Sequence, residues 1–277
     1  MTSAGPLSTI AVGAAGPRVA FLHGLFGQGR NWNLVAKAVA GPAGEDARCL
    51  LVDLPDHGRS PWSTDGFSFE GYAAAVAQTL TNAAPGEPWI VVGHSLGGKT
   101  AMVLTLDHPE LVAGLCVVDI APKDYGDLHR FGGYIAEMQR LPLGELTSRA
   151  DAEERFDESD AGVKAFLLQN LRRVGSQWRW QVNLDLIASD AARGEESAIA
   201  GFPLAVEDRP AYDGPVVWLV GSESGYVTEG DEVDMRARFP KMRQVTVKGA
   251  AHWVHTDAPD IVVDVLRRLV SVASRED

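Results

Sequence analysis

Short apolar runs recur along the first half of the chain, each followed by a stretch with helical spacing. The first good run is Arg18-Val-Ala-Phe-Leu22, which ends at His23-Gly24. Trp32, Val35, Ala36 and Val39 then fall on one face of a helix predicted over 31–40. The alternation repeats. A run at 47–52 ends at Asp53, and a helix is predicted over 67–84, with Ser68 as its N-cap and Glu70 in its first turn. A run at 89–92 ends at Gly93, a helix over 96–108 is stopped by Pro109, and another run spans 115–118. Continuous rather than alternating apolar runs imply strands buried on both faces. Strand-helix alternation implies a parallel sheet with right-handed crossovers.

The rhythm breaks after residue 122. No strand is predicted over 123–208. Helices are predicted instead over 128–141, 143–156, 161–174 and 183–192, with Phe166, Leu167, Asn170 and Leu171 on one side of the third. The strand pattern resumes at 215–220. A helix over 229–239, a strand over 244–247 and a helix over 260–272 complete it. The expected organisation is one α/β core, 1–122 and 209–277, interrupted by a helical lid at 123–208.

Composition narrows the function classes. The chain has 277 residues and a net charge of −12, which argues against nucleic acid as a main partner. Its two cysteines, Cys49 and Cys116, rule out a disulfide scaffold and fit a reducing, cytoplasmic compartment. No apolar run approaches the roughly 20 residues needed to span a bilayer, and no secretory signal opens the chain. No P-loop or dinucleotide fingerprint follows a strand, and the seven His lack metal-ligand spacing. No cofactor and no metal are expected.

The sharpest chemical signal is Gly93-His94-Ser95-Leu96-Gly97, placed between a predicted strand and a predicted helix. That setting makes a nucleophile elbow, with Ser95 exposed at the strand's C-terminal edge above a helix N-terminus. His252, after the last predicted strand, is the candidate general base. His255 reads as wall or scaffold. His23-Gly24-Leu25-Phe26-Gly27 follows the first good strand, and Leu25 or Phe26 is expected to join Leu96 in donating N–H groups to an oxyanion. The acid has several candidates. Asp119 ends an apolar strand, where a carboxylate is costly unless paired. Glu223 sits in a polar loop after the strand at 215–220. Asp185 and Asp124 are weaker. Substrate-binding candidates are Phe26, His94, Trp178, Tyr226 and Trp253, with Phe131, Tyr134 and Phe166 divided between acyl pocket and lid core.

Over nearly its whole length the sequence resembles the α/β-hydrolase superfamily. Within it, the chain is similar to the small esterases related to bacterial YbfF and the ABHD11-type hydrolases. The resemblance rests on His23-Gly-Leu-Phe-Gly27 with Asn31-Trp32, Gly93 to Lys99, Val118-Asp-Ile-Ala-Pro122 and His252-Trp-Val-His255. It implies an α/β-hydrolase fold, a mostly parallel sheet flanked by helices, with the lid inserted after the sixth strand. It also implies a serine hydrolase that cleaves carboxylic esters of small or medium acyl chains by a Ser-His-Asp triad and an acyl-enzyme. In that group the loop matching Gly221 to Val227 often lacks an acid, which favours Asp119. Glu223 in this loop keeps the alternative open. Lactone, thioester, C–C or perhydrolase chemistry on the same triad is the rival activity. A hydrolase-like small-molecule receptor is the rival class.

Overall fold

The computed structural model describes residues 6–203 and 209–273. Residues 1–5 and the expected boundary at 208 lie outside the described residues. In chain order the first half holds β1 (Thr9–Val12), β2 (Arg18–Leu22), α1 (Asn33–Ala40), β3 (Arg48–Val52), α2 (Phe69–Ala83), β4 (Trp89–His94), α3 (Leu96–Asp107) and β5 (Val112–Val118). An insertion follows, with α4 (His129–Arg140), α5 (Arg149–Arg155), α6 (Ala161–Leu168), β6 (Leu171–Val174), β7 (Gln177–Trp180) and α7 (Leu184–Ala191). The chain then returns through β8 (Val216–Gly221), α8 (Glu232–Arg238), β9 (Met242–Val247), α9 (Val254–Asp257) and α10 (Pro259–Ala273).

Seven strands form the central sheet in the order β1-β3-β2-β4-β5-β8-β9. Only β1 runs antiparallel, along β3. The inner strands are buried on both faces, and their residues alternate between two cores. In β2, Val19 and Phe21 pack with α1 and α10, while Ala20 and Leu22 pack with α2 and α3. Val91 and Val92 of β4 divide the same way. This two-sided burial is what the unbroken apolar runs require.

The strand order fixes where a ligand can sit. The chain leaves β2 for β3 on one side, then crosses back to place β4 on the other side, pairing Leu22 with Gly93. The loops leaving β2 and β4 therefore part at their carboxyl ends and open a crevice between them. The His23-Gly24 turn and Ser95 both lie at that edge.

Three expectations need correction. Five strands, not six, precede the insertion among the described residues, because a single antiparallel strand lies ahead of β2. The helix expected over 161–174 ends at Leu168. Residues 171–180 form a hairpin instead, with Val174 opposite Gln177 across Gly175-Ser176. Gly175 takes φ +61°, which suits the first position of a two-residue hairpin turn. The alternating Gln-Trp-Arg-Trp of β7 puts Trp178 and Trp180 on one half-buried face. The helix expected over 143–156 is broken as well. A single turn at Leu143–Glu145 precedes α5, which begins where the Ser148 hydroxyl accepts the Asp151 N–H at 3.1 Å. No helix among the described residues is long and apolar enough to cross a membrane.

The insertion is tied to the core by buried polar contacts. Asp56, fully buried, accepts from Ser63, Tyr72 and the Asn183 amide group (2.7 Å) at the start of α7. The elbow itself depends on glycine. A Cβ on Gly97 would lie 2.5 Å from the carbonyl oxygens of both Leu22 and His23. Gly97→Ala is therefore expected to cost about 1–3 kcal/mol by overpacking, read as a lower urea midpoint.

Candidate active site

Ser95 sits between β4 and α3 with φ 51° and ψ −116°, a backbone state costly for a side-chain-bearing residue. Its N–H is held by the Val118 carbonyl at 3.1 Å. The elbow thus stands on the end of the neighbouring strand. Phe26, Asp56 and Asp119 are the other described non-glycine residues with positive φ. Three of these four belong to the candidate site, each at the carboxyl end of a different strand.

Asp119 follows β5 directly, with φ 52° and no solvent exposure. Its carboxylate is surrounded by donors. Oδ1 accepts the Gly221 N–H at 3.0 Å, and Oδ2 accepts the Ser224 hydroxyl and the Nδ1–H of His252, the latter at 2.8 Å. An acceptor-only carboxylate at Nδ1 leaves Nε2 as the basic nitrogen of His252. The Tyr226 ring stacks on the imidazole at 3.8 Å between centroids, 18° from parallel. Glu223 lies one residue before Ser224 but is exposed, and among the described residues its carboxylate meets only the Ser222 hydroxyl. The structure therefore pairs His252 with Asp119 and not with Glu223. Asp124 caps its own turn at Gly126, and Asp185 lies in the first turn of α7.

The other histidines around the crevice, His23, His57, His94 and His255, are buried. His94 donates Nε2–H to the His252 carbonyl at 2.9 Å, fixing the backbone of the loop that carries the base. Burial, with His252 and His255 beside it, holds its pKa well below the ordinary value. His255 stacks on Trp32 at 4.4 Å, and its Nδ1 has no partner among the described residues. Burial lowers its pKa to about 3. His23 is also lowered to about 3, by burial and by His57 at 5.1 Å between ring centroids.

The N–H groups at the crevice are not equivalent. That of Phe26 is taken by His57 Nε2 at 3.3 Å. Those of Leu25 and Leu96 make no hydrogen bond among the described residues. Of the two candidates in the first loop, Leu25 is the free donor. Phe26 lines a cavity beside Ser95.

Two cavities meet at Ser95. The larger, about 150 Å³, is walled by Leu96, Lys99, Tyr125, Ile199 and Tyr226 as well as Ser95. The smaller, about 20 Å³, is aromatic, with Phe26, Phe131, Tyr134, Phe166 and Trp253 around Ser95, His94 and His252. Trp178 lines neither. Its indole N–H donates to the Leu146 carbonyl at 3.0 Å, because the hairpin turns that face into the insertion's own packing. No cluster of three or more His, Cys, Asp or Glu among the described residues has the geometry to hold a metal ion.

Lys99 is a site residue that the sequence motifs do not single out for a role. It lies one turn after Ser95, is 3% exposed, and donates to the carbonyls of Ala200 (2.5 Å) and Gly201 (2.6 Å). Its ammonium also sits 4.7 Å from the Tyr125 ring centroid. Burial lowers its pKa to about 7. Its signal in the sequence is a basic residue in the first turn of a helix that is mostly small and apolar.

The buried neutral imidazoles carry a pH dependence. Between pH 6.5 and about 3, an unfolded chain protonates His23 and His255 while the folded chain does not. Stability from these groups is thus complete above pH 6.5 and declines as pH falls toward 3. His255→Phe, which keeps the stacking and removes one titration, should make the fall in urea midpoint between pH 6.5 and 4 shallower than in the wild type.

The comparisons agree with this architecture. Residues 17–259 match the α/β-hydrolase fold family. The chain is 38% identical to the mouse sn-1-specific diacylglycerol lipase ABHD11, covering 90% of this chain and 80% of the relative. It is 30% identical to Escherichia coli esterase YbfF, over 91% and 92% of the two chains. A marine microorganism esterase superposes with a TM-score of 0.86 at 28% identity, covering 96% of this chain and all of that one. The chain belongs to the α/β-hydrolase family, in the group that contains YbfF and ABHD11.

Proposed function

We propose that the protein is a serine carboxylic-ester hydrolase working through Ser95, His252 and Asp119. One observation carries the reading: the imidazole held at 2.8 Å by a buried carboxylate shares a cavity with a strained, elbow-mounted serine. The relatives named as esterases and a lipase agree with it.

In this mechanism Ser95 Oγ attacks the ester carbonyl carbon and His252 Nε2 takes the hydroxyl proton. The carbonyl oxygen becomes an oxyanion between the N–H groups of Leu25 and Leu96, where the α3 N-terminus adds partial positive charge. Asp119 orients the imidazole and stabilises its protonated form. His252 then gives the proton to the departing alkoxide, leaving an acyl-serine. Water attacks that ester, His252 removes its proton, and collapse releases the acid and regenerates Ser95.

The two cavities give the substrate a direction. His252 lines the smaller cavity and not the larger. The alcohol must leave beside the residue that protonates it, so the acyl group occupies the larger cavity. A cavity of about 150 Å³ has room for a benzene-sized group. This supports short to medium acyl chains, with the insertion acting as a lid whose Ile199 and Ala200 close the acyl pocket.

Ser95→Ala is expected to abolish turnover of p-nitrophenyl butyrate and labelling by a fluorophosphonate. A single burst without turnover in the wild type would point to the receptor class instead. Asp119→Asn should lower kcat by roughly 10³- to 10⁴-fold, whereas Glu223→Gln should leave it near wild type. Equal small losses would remove both from the role. Across C2 to C12 esters, kcat/KM should fall beyond about six acyl carbons. Lys99→Met, which releases the Ala200–Gly201 wall, should move that limit to longer chains.

A further inference from the structure

Phe26 is held from two sides by parts of the chain far apart in sequence. Its N–H donates to His57 Nε2 at 3.3 Å, and His57 Nδ1–H in turn donates to the Pro55 carbonyl at 2.9 Å. Its carbonyl accepts the Asn170 Nδ2–H at 2.8 Å. Asn170 belongs to the insertion, at the junction of α6 and β6, and has no solvent exposure. Its remaining groups are used as well: Oδ1 accepts from Gln28 Nε2 at 2.9 Å, and Nδ2 also reaches the Leu167 carbonyl at 3.2 Å. The residue thus gripped is itself strained, with φ +60° on a bulky side chain.

We infer that Asn170 and His57 are positioning residues for the oxyanion hole, so that the insertion completes the catalytic loop as well as covering it. The inference rests on the serine-hydrolase reading above. A phenylalanine persists in the left-handed region only when its surroundings over-determine it. Here the two peptide groups flanking Phe26 are fixed from opposite sides. Turning either one would break a buried hydrogen bond and leave its group unpaired. The hold also selects the donor. With the Phe26 N–H committed to His57, the preceding N–H, that of Leu25, is the one left to an oxyanion. His57 serves only as a neutral imidazole, since its Nε2 must accept. His23 makes the reciprocal contact, accepting the Leu54 N–H at Nε2 (3.0 Å) and donating Nδ1–H to the Gly24 carbonyl (2.8 Å). The loops after β2 and β3 are thus cross-bound, and Asn170 closes the assembly from the insertion.

The test compares Asn170→Leu, similar in volume but without the amide, with His57→Phe and His57→Gln in the full chain. Each is assayed for kcat and KM on p-nitrophenyl butyrate, for inhibition by a trifluoromethyl ketone, and for urea midpoint. The ketone forms a hemiketal with the serine and loads the oxyanion site. A substrate-like amide ester analogue reports ground-state binding. Asn170→Leu and His57→Phe should lose kcat on the order of 10- to 100-fold with KM little changed, as expected for sub-ångström misplacement of a donor. Ketone affinity should fall in proportion to kcat/KM, and analogue affinity should hold. His57→Gln, whose amide oxygen can still accept from Phe26, should recover part of the loss. If Asn170→Leu does not fold, the His57 pair decides. Folded variants with wild-type kcat, or with ketone and analogue affinities falling together, would overturn the inference while fluorophosphonate labelling of wild-type Ser95 keeps the hydrolase reading standing. A wild type that neither labels nor turns over removes both.

Discussion

A carboxylate with no access to water has to be surrounded by donors, and the Asp119 carboxylate organises this molecule around that need. Its backbone N–H is bound to the Leu219 carbonyl, and its side chain gathers Gly221, Ser224 and His252. Three loops at one sheet edge are thereby fixed relative to each other: those following β5, β8 and β9. Removing any one donor would leave a buried charge less compensated, a large cost in a low-dielectric interior. The imidazole is therefore oriented by a junction that the fold cannot readily give up.

The electrostatic plan of the rest of the site is restraint. Several histidines lie near the crevice, yet burial keeps His23, His94 and His255 neutral and each serves packing or a backbone contact. Among the described residues, His252, 16% exposed, is the one histidine that combines a carboxylate partner with a place in a cavity wall. Lys99 follows a related logic. It meets two carbonyl oxygens and an aromatic face, and no ion pair with a carboxylate is formed by it among the described residues. It is met by dipoles and a ring face rather than by a counter-ion, and burial lowers its pKa to about 7.

Much of this was legible in the sequence because it is local. Unbroken apolar runs report burial on both faces, so the inner strands could be found. Gly93 to Gly97 encodes its turn by residue size alone. Asp119 could be weighed because a carboxylate ending an apolar strand is expensive unless paired. What was not legible depends on partners distant in sequence. The hairpin at 171–180 carries only a weak alternation, and its Gly175 turn competes with the apolar spacing of the preceding helix. β1 is an edge strand exposed along most of its length, which leaves almost no hydrophobic signature. Aromatic character alone points Trp178 to the pocket, whereas its orientation follows from the hairpin. Asn170 interrupted an apolar stripe, and that polar exception was the one visible trace of its contact with Phe26.

The Asp56–Asn183, Lys99–Ala200 and Asn170–Phe26 contacts give the insertion a property unlike that of a loosely hinged flap. Each contact pairs an insertion group with a core residue at a different point around the crevice. Such a segment is not an interchangeable module. A chimera that imported another insertion onto this sheet would arrive with the wrong counterparts at three separate anchor points. In this chain specificity is accordingly open to change at side chains facing the cavities, whereas a change at one anchoring position unpairs its buried partner.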